Sequence, residues 1–216
     1  MRIEQVTAAL KAARRRQVAV KADAILAALR TAHLTQPAVI AAAYAATVRA
    51  QTAILTVLNT QIDTLHEQVD AHFGEHPDAE IYLSQPGLGS VLAARVLAEF
   101  GDDKKRYADA KARKNYAGTS PITRRSGKKL VVAARFIHND HLVDALHRQA
   151  FSALRTSPGA RAYYDQQRAR GASHDAALRQ LGNRLVGILH GCLKTNTLYN
   201  EQQAWTPQTQ DQPVAA

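Results

Sequence analysis

Apolar residues recur along most of this chain at helical spacing. From Met1 to about Leu34, Val18, Ile25, Leu26 and Leu29 keep a helical period in an Ala-rich stretch and predict a helix. Lys11 and Arg14-Arg15-Arg16 charge its early part, read as a solvated face or as an extra phosphate contact. Thr35-Gln36-Pro37 is a break, with Pro37 suited to the first turn of the next helix. That helix runs to about His72. Leu55, Leu58, Ile62, Leu65 and Val69 follow one another by steps of three and four, which is a heptad seam. The seam can pair with a second copy, with the first helix or with the domain that follows. The turn cluster Phe73 to Asp78 marks a boundary.

Beyond it, helical patterns run from about Ser90 to Phe100, Ala108 to Tyr116, His141 to Arg155, Ala160 to Arg170 and His174 to Leu193. Pro121 to Ile137 differs. Leu130-Val131-Val132 and Phe136-Ile137, with basic residues between, predict a short hairpin or an ordered loop. The expected fold is mostly α. A helical, coiled-coil spacer over 1–75 leads to a compact helical domain over 76–200, with a helix-hairpin-helix element and a short basic loop or hairpin. A disordered tail is expected over 201–216, where Gln, Pro, Thr and Asp show no periodicity.

Composition sharpens this picture. The chain has 216 residues, 46% hydrophobic and only 6% aromatic, enough for a core and weighted toward helix. Its formal charge of +10 points to a polyanionic partner, nucleic acid first. The charge is concentrated: eleven Lys or Arg against three Asp lie between Gly101 and Phe136. The single cysteine, Cys192, excludes an intrachain disulfide and sits among Leu189 and Leu193 as a small core residue. The first residues carry no apolar signal core, and the longest apolar stretch, Ala38 to Val48, is too short for a bilayer. The expectation is therefore a cytoplasmic, nucleoid-associated protein with no membrane partner.

Two motifs carry candidate chemistry. Pro86-Gly87-Leu88-Gly89, followed by Ala93 and Val96-Leu97, fits the hairpin of a helix-hairpin-helix element. Both glycines are expected at positive φ, turning their amides and that of Ser90 toward a phosphate beside a helix N-terminus. Such a grip reads no bases. Gln85 stands where an apolar residue is usual, and an ordinary inter-helix turn is the alternative. Arg124-Arg125-Ser126-Gly127-Lys128-Lys129 encloses a hydroxyl among four cations, which favour an alkoxide and offset charge on a phosphorane. Spacing alone equally describes a basic Ser-Gly turn that only holds phosphate. His138-Asn139-Asp140-His141 with Asp144 diverges too much for a metal, and Asn139 or Asp140 suits an N-cap. His72 and His76 flank a turn. Tyr163-Tyr164, near Arg161, Arg168 and Arg170, suits either stacking or packing.

From about Ile81 to Leu193 the chain resembles the C-terminal domain of DEDD-type bacterial insertion-sequence transposases. These are relatives of the pilin-gene inverting recombinases, and some are guided by a bridge RNA. The matching residues are Pro86 to Gly89, Leu97 to Asp102, Tyr116 to Pro121, Ser126-Gly127-Lys128 and Ala160 to Asp165. The resemblance implies that Ser126 joins covalently to a DNA phosphate. Arg124, Arg125, Lys128, Lys129 and Arg135 would hold the strand, and Gly87, Gly89 and Ser90 a neighbouring phosphate. It implies DNA as partner, with a structured guide RNA as a second, and a homo-oligomer formed through the spacer. Full-length members carry an N-terminal RNase-H-like domain with four metal-binding carboxylates. Asp102, Asp103, Asp140 and Asp144 do not form that pattern. No cofactor is therefore expected within this chain, and Mg2+ only with that domain. An incomplete transposase stands beside a non-catalytic DNA-binding and oligomerising module.

Overall fold

The computed structural model describes residues 2–31, 36–127 and 129–206. It is mostly helical, with ten helices and one two-stranded sheet among the described residues. Compactness divides the chain into 1–59 and 60–216, a boundary inside one long helix.

In the first unit, α1 (Ile3–Ala12) and α2 (Val18–Arg30) pack together through Val6, Ala22 and Leu26. The single helix expected here is therefore broken. Arg14 and Gln17 take φ of 50° and 56°, and three adjacent arginines repel one another across the break. Leu34 and Thr35 of the expected break lie outside the described residues.

Helix α3 (Ala38–Gly74) continues from the first unit into the second. Leu55, Leu58, Ile62 and Leu65 are each about half exposed or more. This helix is long and apolar enough to cross a membrane, with a window of mean hydropathy 1.4. That corrects the expectation drawn from Ala38 to Val48, which counted only uninterrupted apolar residues. Arg49 and Gln51 lie among its apolar positions, and a charge inside a bilayer is costly.

The second unit is built on α9 (His174–Thr195). It packs against α4 (Ala79–Ser84), α6 (Ala110–Tyr116), α7 (Asp140–Thr156) and α8 (Pro158–Ala169). Leu178, Leu181, Leu185, Val186 and Leu189 of α9 are buried, one face at helical spacing. Helix α5 (Ser90–Phe100) lies against α7 and buries Ala93, Val96 and Phe100. Asn139 is the N-cap of α7, accepting from the Leu142 amide at 3.1 Å. The segment between α6 and α7 forms the antiparallel hairpin β1 (Ile122–Ser126) and β2 (Lys129–Ala133).

The stretch from 201 opens with order, not with a disordered tail. Helix α10 (Glu201–Trp205) packs on α8. Glu201 accepts hydrogen bonds from Ser157 Oγ at 2.9 Å and the Gly159 amide at 2.7 Å, placing an anion at the N-terminus of α8. Trp205 Nε1 donates to Tyr199 Oη at 2.8 Å. The remainder, 207–216, lies outside the described residues.

Candidate nucleic-acid interface

The basic hairpin pairs Ile122 with Ala133, Arg124 with Val131 and Ser126 with Lys129, and a two-residue loop closes it. Gly127, the first loop residue, has φ of 55°, the left-handed region that tight hairpin turns need and glycine adopts without strain. Residues on a strand alternate between faces. Ser126 therefore shares one face with Arg124 and with Lys129 across the ladder, while Arg125 projects from the other with Thr123, Leu130 and Val132. The four cations expected around the hydroxyl do not form one cluster. Two share its face, Arg125 does not, and Lys128 lies outside the described residues. Ser126, Arg124, Arg125 and Lys129 are all exposed. Among the described residues no side chain hydrogen-bonds Ser126 Oγ, and no carboxylate pairs with those three cations.

The foot of the hairpin is tied down at several points. Gly118, at φ of 70°, packs so closely that a β-carbon would meet His138 Cβ at 2.5 Å. Thr119 Oγ1 donates to Asn183 Oδ1 of α9 at 3.1 Å. On the return strand, Arg135 Nη2 donates to Asn115 Oδ1 of α6 at 3.1 Å. Arg135 is thus a tether between hairpin and helix rather than a free cation, which corrects its expected placing with the strand-holding residues. Asn139 Nδ2 donates to Glu99 of α5. The Gly-Thr-Ser-Pro stretch, read only as part of a resemblance, is the mount of the hairpin.

The glycine turn joins α4 to α5. Gly87 has φ of 79°, but Gly89 has φ of −86° and extended backbone, so one glycine rather than two uses the left-handed region. Gly89 is the N-cap of α5, and no side chain caps the helix. The first-turn amides of α5, from Ser90 onward, therefore have no capping side chain, and Gly89 is exposed. Gln85 is buried, and its amide nitrogen donates to Ile81 O at 3.3 Å. The unusual residue is thus held inside the turn.

Arg95 and Arg148 both bond Asp144, at 3.1 and 3.0 Å. The Arg148 and Arg95 hydrogen bonds hold the Asp144 carboxyl below the usual carboxylate range. His138 Nε2 meets Asp140 Oδ1 at 3.1 Å, and no group of three metal-ligating side chains is found among the described residues. His76 Nδ1 accepts from the Asp78 amide. Tyr163 packs on Trp205, and Tyr164 Oη meets His174 Nδ1 at 2.7 Å, so both tyrosines have partners within the fold.

Sequence reasoning missed two cations of α6. Arg113 is 2% exposed, and its guanidinium lies against the Phe100 and Tyr107 rings. Lys114 is half-buried, and burial and then the Arg184 charge push its pKa down. Both belonged to the counted basic stretch, but nothing in their spacing set them apart.

The hairpin, its mount and the glycine turn fall together inside one matched region. Residues 79–165 are a segment of the transposase IS116/IS110/IS902 family. The mini-circle putative transposase for IS117 of Streptomyces coelicolor is 52% identical over 145 residues, 67% of this chain and 35% of that protein. The IS900 uncharacterized 42 kDa protein of Mycobacterium paratuberculosis is 34% identical over 158 residues, 72% of this chain and 40% of its own length. The IS110 uncharacterized 43.6 kDa protein of Streptomyces coelicolor is 32% identical over 156 residues, 68% and 36% respectively. The chain thus spans little more than a third of these transposase relatives. The family segment begins at α4 and ends at Asp165 in α8, so α1–α3 and α9 lie outside it.

Proposed function

We propose that this chain is the DNA-holding and strand-joining part of an insertion-element transposase. The observation that carries the reading is Ser126: an exposed hydroxyl at the end of a hairpin strand, on one face with Arg124 and Lys129. A DNA backbone laid along that face would place a phosphodiester beside Ser126 Oγ. The Oγ–phosphorus bond would form as the bond from phosphorus to the 3′-oxygen breaks, leaving a free 3′-hydroxyl and a phosphoserine-linked strand. A later 3′-hydroxyl would attack that phosphorus and release the serine. Arg124 and Lys129 would offset the added charge on the phosphoryl oxygens. Gly89 and Ser90 would hold a neighbouring phosphate with the amides at the start of α5.

The proton on Ser126 needs an acceptor from outside the described residues, because none touches the hydroxyl. A partner domain with bound Mg2+ fits that need. Structured RNA would meet the same cations as DNA, since both present phosphate. The exposed stripe of α3 suits pairing with a second copy of the chain. The second reading, a DNA-binding and oligomerising module without chemistry, is favoured by that missing base.

The test is a protein–DNA adduct that survives denaturation, with the metal-binding domain of a relative and its Mg2+ supplied. Ser126→Ala should abolish the adduct while leaving DNA affinity nearly unchanged. An adduct that persists in Ser126→Ala, or never forms, would leave the module reading.

A further inference from the structure

Away from the hairpin, α6 and α9 border a second cationic feature. A cleft of about 400 Å3 is lined by Lys104, Lys105, Arg113, Lys194 and His190, with Tyr107 in its wall and no carboxylate among its lining residues. Arg113 is the unusual member. It is buried, yet its Nε and Nη1 have no hydrogen-bond partner among the described residues. Its charge rests against the Phe100 and Tyr107 rings at 4.9 and 4.7 Å, contacts that attract a cation without neutralising it. A buried guanidinium without a counter-ion is unfavourable unless something supplies one. Lys104 is partly satisfied, by Asp78 at 2.7 Å and Asn196 at 3.1 Å. No carboxylate pairs with Lys105, Lys194 or Arg113 among the described residues.

We infer that this cleft is a phosphate site that takes one backbone phosphate group of a bound nucleic acid. Lys105 and Lys194 stand on two separate elements at its rim, and Arg113 sets the positive potential of its floor. Cations spread in this way fit the tetrahedral oxygens of a phosphodiester better than a planar carboxylate, which favours a single bidentate arginine. The inference rests on the nucleic-acid reading above but does not use the serine.

His190 supplies the readout. Burial, then Arg113 and Lys194, push its pKa down. An anion in the cleft would raise it again. The experiment follows the His190 imidazole by NMR in the full chain, with a short DNA duplex and separately with inorganic phosphate. A duplex-induced rise in the His190 pKa is expected. The Lys105→Ala, Lys194→Ala double variant should lose that rise. It should also reduce the slope of log affinity against log salt by about two, roughly one per lost phosphate contact. An unmoved His190 with duplex bound, or an unchanged salt slope, overturns the inference. A response to inorganic phosphate that the duplex does not reproduce overturns the polynucleotide occupant. An Arg124→Ala, Lys129→Ala chain separates the two readings. If its slope falls while the cleft variant's does not, only the cleft fails; if the wild-type chain binds no duplex, the nucleic-acid reading itself fails.

Discussion

A β-carbon placed on Gly87 would stand 2.4 Å from the carbonyl oxygen of Gln149, so the α4–α5 turn is pressed directly onto α7. With φ of 79°, that position is closed to other residues on two counts. Gly87→Ala should cost ~3 kcal/mol, combining left-handed backbone strain with overpacking. Gly89 has nothing within 4 Å and an ordinary φ. Gly89→Ala should change stability by less than about 0.5 kcal/mol. Chemical denaturation of the two variants checks the contrast; equal losses would contradict it.

Trp205 lies where a β-carbon on Gly159 would come within 2.2 Å of the indole. Its ring also packs on Tyr163 and receives the Arg184 guanidinium at 5.9 Å. Trp205→Ala should destabilise the second unit by ~2 kcal/mol, below the usual figure for a fully buried aromatic because the indole is only half-buried. A thermal melt unchanged by the substitution would show that α10 is a passive appendage.

Acid should weaken the fold in two steps. The pKa of His190 is lowered in the folded chain, so the unfolded chain binds its proton first as pH falls. Stability from keeping His190 neutral is present above the unfolded value near ~6.5 and fades below it. The pKa of Asp144 is also lowered, by Arg148 and Arg95. Its contribution is present above the unfolded carboxylate value near ~3.9 and is lost as pH falls through the folded value. Melting temperature against pH should show both limbs. His190→Gln should flatten the first and Asp144→Asn the second.

The exposed positions of α3 make a separate forecast. Ile62→Asp should shift the chain toward monomer in light scattering, because an aspartate inside a helix–helix seam is left without water or partner. Asp substitution at the neighbouring Gln61, off the seam, should leave the mass unchanged. A wild-type chain that is monomeric at high concentration would contradict self-pairing.

The helices of the second unit were legible because their apolar faces repeat every 3.6 residues, as Leu178, Leu181 and Leu185 do in α9. The hairpin was visible in the switch to Leu130-Val131-Val132 and in the turn-forming Gly127. Its division into two faces was implicit in strand alternation but was overlooked while the cations were taken as a group. The break at Arg14–Gln17 was hidden because helical spacing resumes in register with Ala and Val after it. Arg113 was invisible for a different reason. Burial of a charged residue depends on aromatic neighbours at Phe100 and Tyr107 that only tertiary packing brings together. The helix after 200 escaped notice because Glu201 and Trp205 find their partners in Ser157 and Gly159, far back along the chain.

The hairpin buries almost nothing of its own. Two five-residue strands at about 3.3 Å per residue carry Ser126 roughly 16 Å beyond the tied foot. A two-stranded ribbon of this kind is marginal when nothing lies against it. Where the hydroxyl points is therefore governed by whatever the ribbon rests on, and an empty protein should hold its nucleophile loosely aimed until a strand of nucleic acid stiffens the arm.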